Sequence, residues 1–275
     1  MKKSIGATII ILVVIFLATA ISGSILLGVA LNNADFKLAK LFPDSAVEID
    51  EAHTRNLTGI NTIELKNIAA KITITSAGAK ESTVTATLKG TYFHTTGKKI
   101  TFDMKAEGSK LTFAQSSGSG FNLGYNFEDT SLVLIVPTDY TGELKLTNCA
   151  AKIDAFTSSE SPKLSGFAST NGAGKLDAVG YFKNIEIVNS AGKINIREKG
   201  EVGTISIKNS AGKVTLTLPK NTKGSIEISN NAGKVESDFP LRSGEYGNYW
   251  GDLNGGGDAK ISIQNSAGKI DIIAS

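Results

Sequence analysis

Lysine is the residue whose spacing most clearly suggests chemistry in this chain. Seven copies of a short string, Asn-x-Ala-(Gly or Ala)-Lys-aliphatic, each place a lysine at the same position. They are Lys71, Lys152, Lys175, Lys193, Lys213, Lys234 and Lys269. Ammonium groups gathered on one face would repel each other and could attract a polyanion, such as an anionic cell-wall polymer. A solvated face balanced by nearby acids, for which Glu186 and Glu227 are candidates, explains the same spacing, and we favour that interpretation.

The position two residues after each of these lysines is mostly polar and includes several acids. Its occupants are Thr73, Asp154, Asp177, Asn195, Thr215, Glu236 and Asp271. Asp154 and Asp177 could stack and share a proton or a cation. A carbohydrate-active β-helix enzyme would need an exposed groove lined by Asp154, Asp177 and Asp271. An outward polar position on alternating strands explains the same pattern, and we favour that interpretation.

The remaining reactive side chains do not form a catalytic set. The chain has one cysteine, Cys149, and two histidines, His53 and His94, which are far apart in sequence. Neither a Ser-His-Asp nor a Cys-His pairing can be argued from them, and zinc ligation is not indicated. We therefore predict no enzyme activity, no catalytic residues, no metal and no cofactor. Cys149 is expected to be a small filler at a corner rather than a reactive thiol.

An aromatic segment interrupts the repeats near the end of the chain. Tyr246, Tyr249 and Trp250 lie in a glycine-rich insertion that spans residues 238–258. Such a loop could stack on a glycan ring. It could instead cap the open end of a stacked β-structure, and the cap is the favoured interpretation.

The elements that position these residues are short strands. The repeated string begins at Asn67, Asn148, Asn171, Asn189, Asn209, Asn230 and Asn265. Aliphatic residues alternate on both sides of it, as at Ile185 and Ile187 before it and Ile194 and Ile196 after it. This period of two predicts strands with one buried face. The unit is therefore strand, corner, strand and return segment, in about 20 residues.

Stacking these units would bury a continuous apolar core. We predict an all-β fold, a β-solenoid resembling a single-stranded β-helix, with equivalent strands about 4.8 Å apart. A sandwich of hairpins is the alternative. In a solenoid the corner asparagines can bond to one another, and glycine suits a left-handed backbone. Where Ala70 and Ala151 replace that glycine, either the alanine is strained or the asparagine holds the positive φ.

The amino-terminal residues predict a membrane segment. Lys2 and Lys3 are followed by no charged residue until Asp35, and residues 5–31 are largely apolar. That length can cross a bilayer as one tilted helix. We predict an uncleaved, single-pass signal-anchor rather than a cleaved signal peptide, with the carboxy-terminal domain outside the cytoplasm.

Three regions follow from these patterns. Residues 1–34 would be a cytoplasmic stub and transmembrane signal-anchor, residues 35–61 a linker or stalk, and residues 62–275 the β-repeat domain. The net charge of only +3 argues against nucleic acid as a partner.

Two stretches carry a resemblance to a known family. Leu132-x-Leu134-x-Val136-Pro137 leads into Leu144-x-Leu146-x-Asn148, and Leu216-x-Leu218-Pro219 leads into Ile226-x-Ile228-x-Asn230. In these, the chain resembles the bacterial β-strand-repeat "putative adhesin" family, a domain of unknown function related to envelope-stress β-repeat domains. The resemblance implies an extracytoplasmic, β-solenoid-like domain, often tethered by one helix. It implies no catalytic residues.

Together these features predict a membrane-anchored binding or structural module of the cell envelope. Its expected partners are the membrane, through residues 5–31, and a cell-wall polyanion, a glycan or an envelope protein. A carbohydrate-active β-helix enzyme and a passive structural spacer are the alternatives.

Overall fold

The computed structural model describes residues 46–78, 82–93, 100–117, 130–149 and 152–275. The predicted signal-anchor, the first part of the predicted linker, His94 and Ala151 all lie outside these ranges. Within the described ranges there is no helix with the length and apolarity needed to span a membrane.

The described residues form an all-β fold, as predicted. Its one helical element is a single 3-10 turn at Glu245–Gly247. The strands are β1 (Ala46–Asn56), β2 (Thr62–Lys66), β3 (Lys71–Ala77), β4 (Thr83–Phe93), β5 (Ile100–Glu107), β6 (Lys110–Ser117), β7 (Ser131–Pro137), β8 (Glu143–Cys149), β9 (Ile153–Ala155), β10 (Lys163–Leu164), β11 (Gly166–Phe182), β12 (Ile185–Glu198), β13 (Thr204–Leu218), β14 (Gly224–Ser237), β15 (Arg242–Ser243), β16 (Asn248–Leu253) and β17 (Ala259–Ala274).

The repeats stack as parallel rungs, which makes the architecture solenoid-like. We call the part of each rung before its corner asparagine the first leg, and the part from the lysine onward the second leg. Asn189 of β12 pairs in register with Asn171 of β11 and with Asn209 of β13, and the lysines pair likewise. The rungs follow one another in the order β6/β7, β2/β3, β8/β9, β11, β12, β13, β17, β14. The corners therefore lie above one another and not at separate hairpin tips.

The order of the rungs departs from the order of the sequence at two places. The last strand, β17, pairs on one side with β13 and on the other with β14. The β2/β3 rung likewise lies between β6/β7 and β8/β9. The long insertion at residues 238–258 provides the chain length that brings β17 back between two earlier rungs.

The core lies between the inward faces of the two legs. Ile194, Ile196, Ile205 and Ile207 are fully buried or nearly so, as the alternating pattern predicts. Burial of each such side chain stabilises the fold by about 1.5–3 kcal/mol relative to leaving it in water. Phenylalanines fill the wider parts of the interior, and the rings of Phe167 and Phe182 stack with centroids 5.0 Å apart.

Antiparallel strands cover both legs at one end of the stack and the first leg at the other. At one end β4 pairs with β7 and with β1, and β5 pairs with β6. At the other end β16 pairs with the first leg of β14, and β15 pairs with β16. These additions cover strand edges that would otherwise be free to pair with another chain.

Strand β1 lies inside the range that the sequence predicted to be a linker. All eleven of its residues, Ala46–Asn56, pair with β4, and Ile49 is buried. His53 Nε2 donates to the carbonyl oxygen of Phe102 at 2.7 Å, and Glu51 accepts from the Phe102 amide at 3.2 Å. The β-domain thus extends to at least Ala46, because this strand is part of the sheet and its side chains satisfy the backbone of β5.

The corners take two forms, which resolves the question raised by the alanine substitutions. Five copies place a glycine at positive φ, between 118° and 153°. In the copies with alanine at that position, Asn67 and Asn148 adopt φ values of 56° and 54° instead. The asparagine holds the left-handed conformation in both copies, and Ala70 avoids the cost of a left-handed alanine.

Candidate functional site

A ladder of asparagine side chains fixes the corners in register. Asn189 Nδ2 donates to Asn209 Oδ1 at 2.9 Å, and Asn209 donates to Asn265 at 2.9 Å. Asn265 in turn donates to Asn230 at 3.1 Å. These four side chains are buried, so each amide satisfies its neighbour in place of water. The lysine four residues further along each rung is positioned by this ladder.

The lysines form a second ladder on the outer face of the second legs. Lys175, Lys193 and Lys213 pair in register, and Lys234 pairs with Lys269. Lys71 and Lys152 precede Ile72 and Ile153, which are also register partners. The order along the stack is Lys71, Lys152, Lys175, Lys193, Lys213, Lys269, Lys234, and we call this surface the lysine ladder.

Acids two residues after the lysines pair with five of the seven ammonium groups. Lys152 Nζ lies 2.9 Å from Asp154 Oδ2, and the ammonium of Lys175 pairs with the carboxylate of Asp177. Asp271 accepts from two rungs at once, from Lys213 at 2.6 Å and from Lys269 at 2.9 Å. Glu236 pairs with Lys234 and with Lys269. These are the contacts that offset the repulsion between stacked lysines.

The surroundings of Asp177 and Asp271 favour the ionised forms of these two acids. Partial burial alone would raise the pKa of Asp177, but hydrogen bonds from Lys175 and Asn195 outweigh it and hold that pKa below its usual value. Asp271 has a lowered pKa for the same reason, with Lys213 and Lys269 as donors. Asp154 and Asp177 are register neighbours, as expected, yet each carries its own lysine. An ionised Asp177 leaves no proton to share, so the possibility of a shared proton is not supported, whereas the favoured interpretation of an outward polar position agrees with the alternating burial along β9 and β12.

The acids expected to balance the lysines were misidentified from the sequence. Glu186 and Glu227 lie on the first legs, before the corner, whereas the lysines lie on the second legs. Neither forms an ion pair in the described part of the chain. The signal that identifies the true partners is the i, i+2 spacing on one strand, which puts both side chains on the same face.

Two lysines of the ladder remain without an acid. Lys71 and Lys193 form no ion pair with any described residue. The position two residues on is threonine in one case and asparagine in the other, and, unlike at Lys213, no acid of a neighbouring rung lies within ion-pair distance. In the row of lysines and the row two residues after it, seven lysines stand against Asp154, Asp177, Glu236 and Asp271, so these two rows have three more positive than negative groups, because 7 − 4 = 3. The lysine ladder is therefore a mixed but basic surface.

The three aspartates proposed for an enzyme do not gather at one point. Asp154 and Asp177 are on adjacent rungs, whereas the β12 and β13 rungs separate Asp177 from Asp271. At about 4.8 Å per rung, that separation is about 14 Å, wider than the two carboxyl groups of a glycosidase. Within the described ranges, no cluster of three histidine, cysteine or acidic side chains is placed to hold a metal ion.

Cys149 is an interior residue whose register differs from that of the repeat string. It pairs with Asn171 across a bulge, so it occupies the inward position that asparagine holds in later rungs. Its side chain is fully buried, and burial raises the pKa of the Cys149 thiol to about 12. A thiol that is neutral and inaccessible is a poor nucleophile, which agrees with a filling role.

The aromatic insertion divides between the interior and the surface. Tyr249 packs partly against the core and Leu253 is fully buried, so β16 does cap the first leg of β14. Side chains alternate along β16, so that of Trp250 points outward, and the residue is 44% exposed. Tyr246 is 85% exposed. Tyr249 and Leu253 thus form the cap, whereas Trp250 and Tyr246 form an exposed aromatic surface in the same insertion.

A buried acid at the end of β12 is not apparent from the sequence. Glu198 is 1% exposed and accepts hydrogen bonds from the amides of Phe182 at 2.8 Å, Gly200 at 2.8 Å and Lys199 at 3.1 Å. Burial raises its pKa to about 7, although these three bonds act in the opposite direction. The Glu198 carboxylate thus links the backbone at Phe182 to the backbone at Lys199 and Gly200. In the sequence, the one sign that Glu198 points inward is its place in the alternation, two residues after Ile196.

Comparison with known proteins agrees with the family expected from the sequence. Residues 153–273 match the family model described as Toastrack DUF4097, which confirms the β-repeat resemblance over that segment. No curated protein matches the chain. Among solved structures, a "putative cell adhesion protein" from Clostridium sporogenes has 15% identity and a TM-score of 0.48, covering 83% of this chain and 100% of its own. A "putative adhesin" from Bacteroides fragilis has 10% identity and a TM-score of 0.35, covering 82% and 97%.

Proposed function

We propose that this protein is a non-enzymatic binding module of the cell envelope that docks an anionic polymer on its lysine ladder. In this proposal residues 5–31 form the single membrane-spanning anchor, and the solenoid of about 20-residue coils stands outside the cytoplasm. The observation that carries the proposal is the register of seven lysines on one face, with more lysines than acids.

The spacing of the ladder suits a linear polyanion. Successive rungs are about 4.8 Å apart, so an extended chain of phosphates or carboxylates could contact several lysines without bending. Lys71 and Lys193 would be the strongest contacts, because neither forms an ion pair with a described acid; the Lys193 ammonium has only a longer-range attraction to Asp177. The paired lysines contribute less, since a polymer must share them with Asp154, Asp177, Glu236 and Asp271.

The enzyme alternative is weaker on the same geometry. Its three aspartates lie on the lysine ladder as ion-paired side chains, and the pKa values of Asp177 and Asp271 are lowered. A general acid needs a raised pKa. A passive spacer is the remaining alternative, and it predicts no saturable ligand.

Binding of the full chain, in detergent micelles, to poly(glycerol phosphate) tests the proposal. The variant Lys71→Gln/Lys193→Gln is compared with Lys183→Gln/Lys199→Gln, which removes two exposed lysines from the turns between rungs. We expect the ladder variant to bind about tenfold more weakly and the turn variant to bind like the unchanged protein. Binding of the unchanged protein should weaken steeply with salt, because exposed charges are screened.

Equal affinities for the two double variants would overturn the assignment to the lysine ladder. No saturable binding by the unchanged protein would favour the passive spacer.

A further inference from the structure

The end ribbon formed by β15 and β16 presents an outer face that the lysine ladder does not involve. Side chains alternate along β16, so Tyr249 and Leu253 turn inward while Asn248, Trp250 and Asp252 turn outward. Because β16 pairs with the first leg of β14, this face continues the first-leg surface. The lysines, in contrast, lie on the second legs.

Trp250 lies between two oppositely charged side chains on that face. It is the register partner of Glu227 on β14 and of Arg242 on β15. Residues directly opposite each other in antiparallel strands have Cβ atoms about 4.5–5.5 Å apart and point to the same face. The indole is therefore flanked by a carboxylate on one side and a guanidinium on the other.

The backbone at Gly244, directly after β15, supports the indole ring of Trp250. A methyl group at Gly244 would lie 2.7 Å from Cζ3 and 3.1 Å from Cη2 of Trp250, so only glycine leaves room for the ring in this position. Close approach of backbone to ring restricts the ring before any ligand arrives, which lowers the entropic cost of binding. Despite this support from the backbone, Trp250 remains 44% exposed.

The flanking charges are not paired by any residue in the described part of the chain. Glu227, Arg242 and Asp252 are all exposed, and none of them forms an ion pair with a described residue. Arg242 can only donate hydrogen bonds, and the two carboxylates can only accept them. An aromatic plane rimmed by both kinds of group is a poor match for an apolar protein surface, which would desolvate the charges without pairing them.

We propose that this face, centred on Trp250 and flanked by Glu227 and Arg242, binds the sugar rings of a glycan. A pyranose has an apolar C–H face that can stack on the indole and a rim of hydroxyls that can both donate and accept. Glu227 and Asp252 accept from such hydroxyls, and Arg242 donates to them. The surface is separate from the lysine ladder, so the glycan site does not depend on polyanion binding there.

The chain offers its own reporter for this site, because Trp250 is its one tryptophan. Fluorescence of the full chain in detergent micelles is titrated with soluble β-1,4-linked oligomers of N-acetylglucosamine and, in parallel, of glucose. We expect a saturable blue shift with at least one of the two series, since stacking removes water from the indole. Absence of a saturable change with both series overturns the proposal.

Variants that keep the reporter identify the contacts. Glu227→Gln and Arg242→Gln are each expected to weaken binding about fivefold or more, because hydrogen bonds to charged groups are among the stronger ones. Glu186→Gln is the matched control, since Glu186 occupies the same first-leg position on β12. Unchanged affinity in both flanking variants would overturn the proposal, as would an equal loss in the control.

Gly244→Ala provides an independent check on the indole's position. We expect it to shift the emission of the free protein and to weaken glycan binding at least fivefold, with the far-ultraviolet circular dichroism unchanged. Unaltered glycan affinity in a folded Gly244→Ala protein would contradict the role given to the supported ring.

Discussion

Asparagine recurs at the inward corner position because its amide both donates and accepts. In the run Asn189, Asn209, Asn265, Asn230, each side chain bonds to the one on the next rung, away from water. Neither aspartate, which when ionised can only accept, nor leucine, which can do neither, could continue such a run. The corner residues therefore fix which rung lies in register with which.

Replacing one buried ladder asparagine should destabilise the fold more than replacing its exposed neighbour. Asn230 accepts from Asn265 and donates to the carbonyl oxygen of Gly268 at 3.0 Å, whereas Asn231 is exposed. Asn230→Ala should lower the free energy of unfolding by about 1–3 kcal/mol, because the partners left behind are unsatisfied. Asn231→Ala should cost less than about 0.5 kcal/mol. Urea unfolding followed by circular dichroism measures both, and similar losses would count against the ladder.

Glu198 should make stability depend on pH in a direction opposite to that of most acids. Its pKa is raised in the folded protein to about 7 from 4.5. Its contribution to stability is therefore complete below pH 4.5 and is lost as the pH rises towards 7, because the unfolded chain ionises first. The loss amounts to about 3 kcal/mol at 1.36 kcal/mol per pKa unit.

The variant Glu198→Gln isolates this effect. We expect the difference in unfolding free energy between the variant and the unchanged protein to shift in favour of the variant between pH 5 and pH 8. Glu186→Gln, which alters an exposed acid, should show no such shift. The same pH profile for Glu198→Gln and the unchanged protein would contradict the raised pKa.

At the scale of the element, the corner glycines bring backbone into direct contact with backbone. Gly212 has φ of 118°, and a methyl group there would lie 2.0 Å from the carbonyl oxygen of Gly192 on the next rung. The same close approach recurs at Gly192 and at Gly268. These positions need glycine both for the dihedral angle and for the space.

Gly212→Ala should therefore cost far more than a substitution that alters only the dihedral preference. Gly59 is the matched control, since it also has positive φ, 77°, but has nothing within 4 Å of an added methyl group. Gly59→Ala should cost about 1–2 kcal/mol, the ordinary price of a left-handed residue. Gly212→Ala should exceed that by 2 kcal/mol or more, because the rungs must move apart. Equal melting temperatures for the two variants would show that the rungs are not in close contact.

The sequence predicted the strands and corners well where the repeat string is intact. The alternation of apolar and polar residues around Asn189 and Asn209 predicted both legs of these rungs. Of the two explanations for the alanine-containing corners, the one with positive φ at asparagine is confirmed at Asn67 and Asn148. The end strands were harder to predict. Strand β1 has charged residues on both faces, such as Glu48 on one and Glu51 on the other, and few aliphatic ones, so its pairing with β4 shows only in three dimensions.

At the scale of the molecule, the lysine ladder depends on the order in which rungs stack. The insertion of β17 between β13 and β14 puts Asp271 between Lys213 and Lys269, so that one acid serves two rungs. In the order of the sequence, Glu236 and not Asp271 would lie beside Lys213. The charge pattern of the candidate site is thus a property of the whole stack.

Sequence alone could not supply this order. The first legs Ile205–Ile207, Ile226–Ile228 and Ile261–Ile263 have the same aliphatic pattern followed by asparagine, so each fits beside either of the others. What distinguishes the arrangements is the path of residues 238–258, which form the end ribbon on β14 and thereby occupy its free edge. Local patterns specify the rungs, and a long-range connection specifies their order.

Engineered cysteine pairs test the stacking order most directly. Ser206 on β13 is the register partner of Ser262 on β17, and Ser262 is the partner of Glu227 on β14. Adjacent strands are close enough for a disulfide, whereas strands two rungs apart, at about 9.6 Å, are not. The native Cys149 is buried and should not compete. Under mild oxidation, Ser206→Cys/Ser262→Cys should form a reducible intrachain disulfide and Ser206→Cys/Glu227→Cys should not; the opposite result would contradict the fold on which the lysine ladder rests.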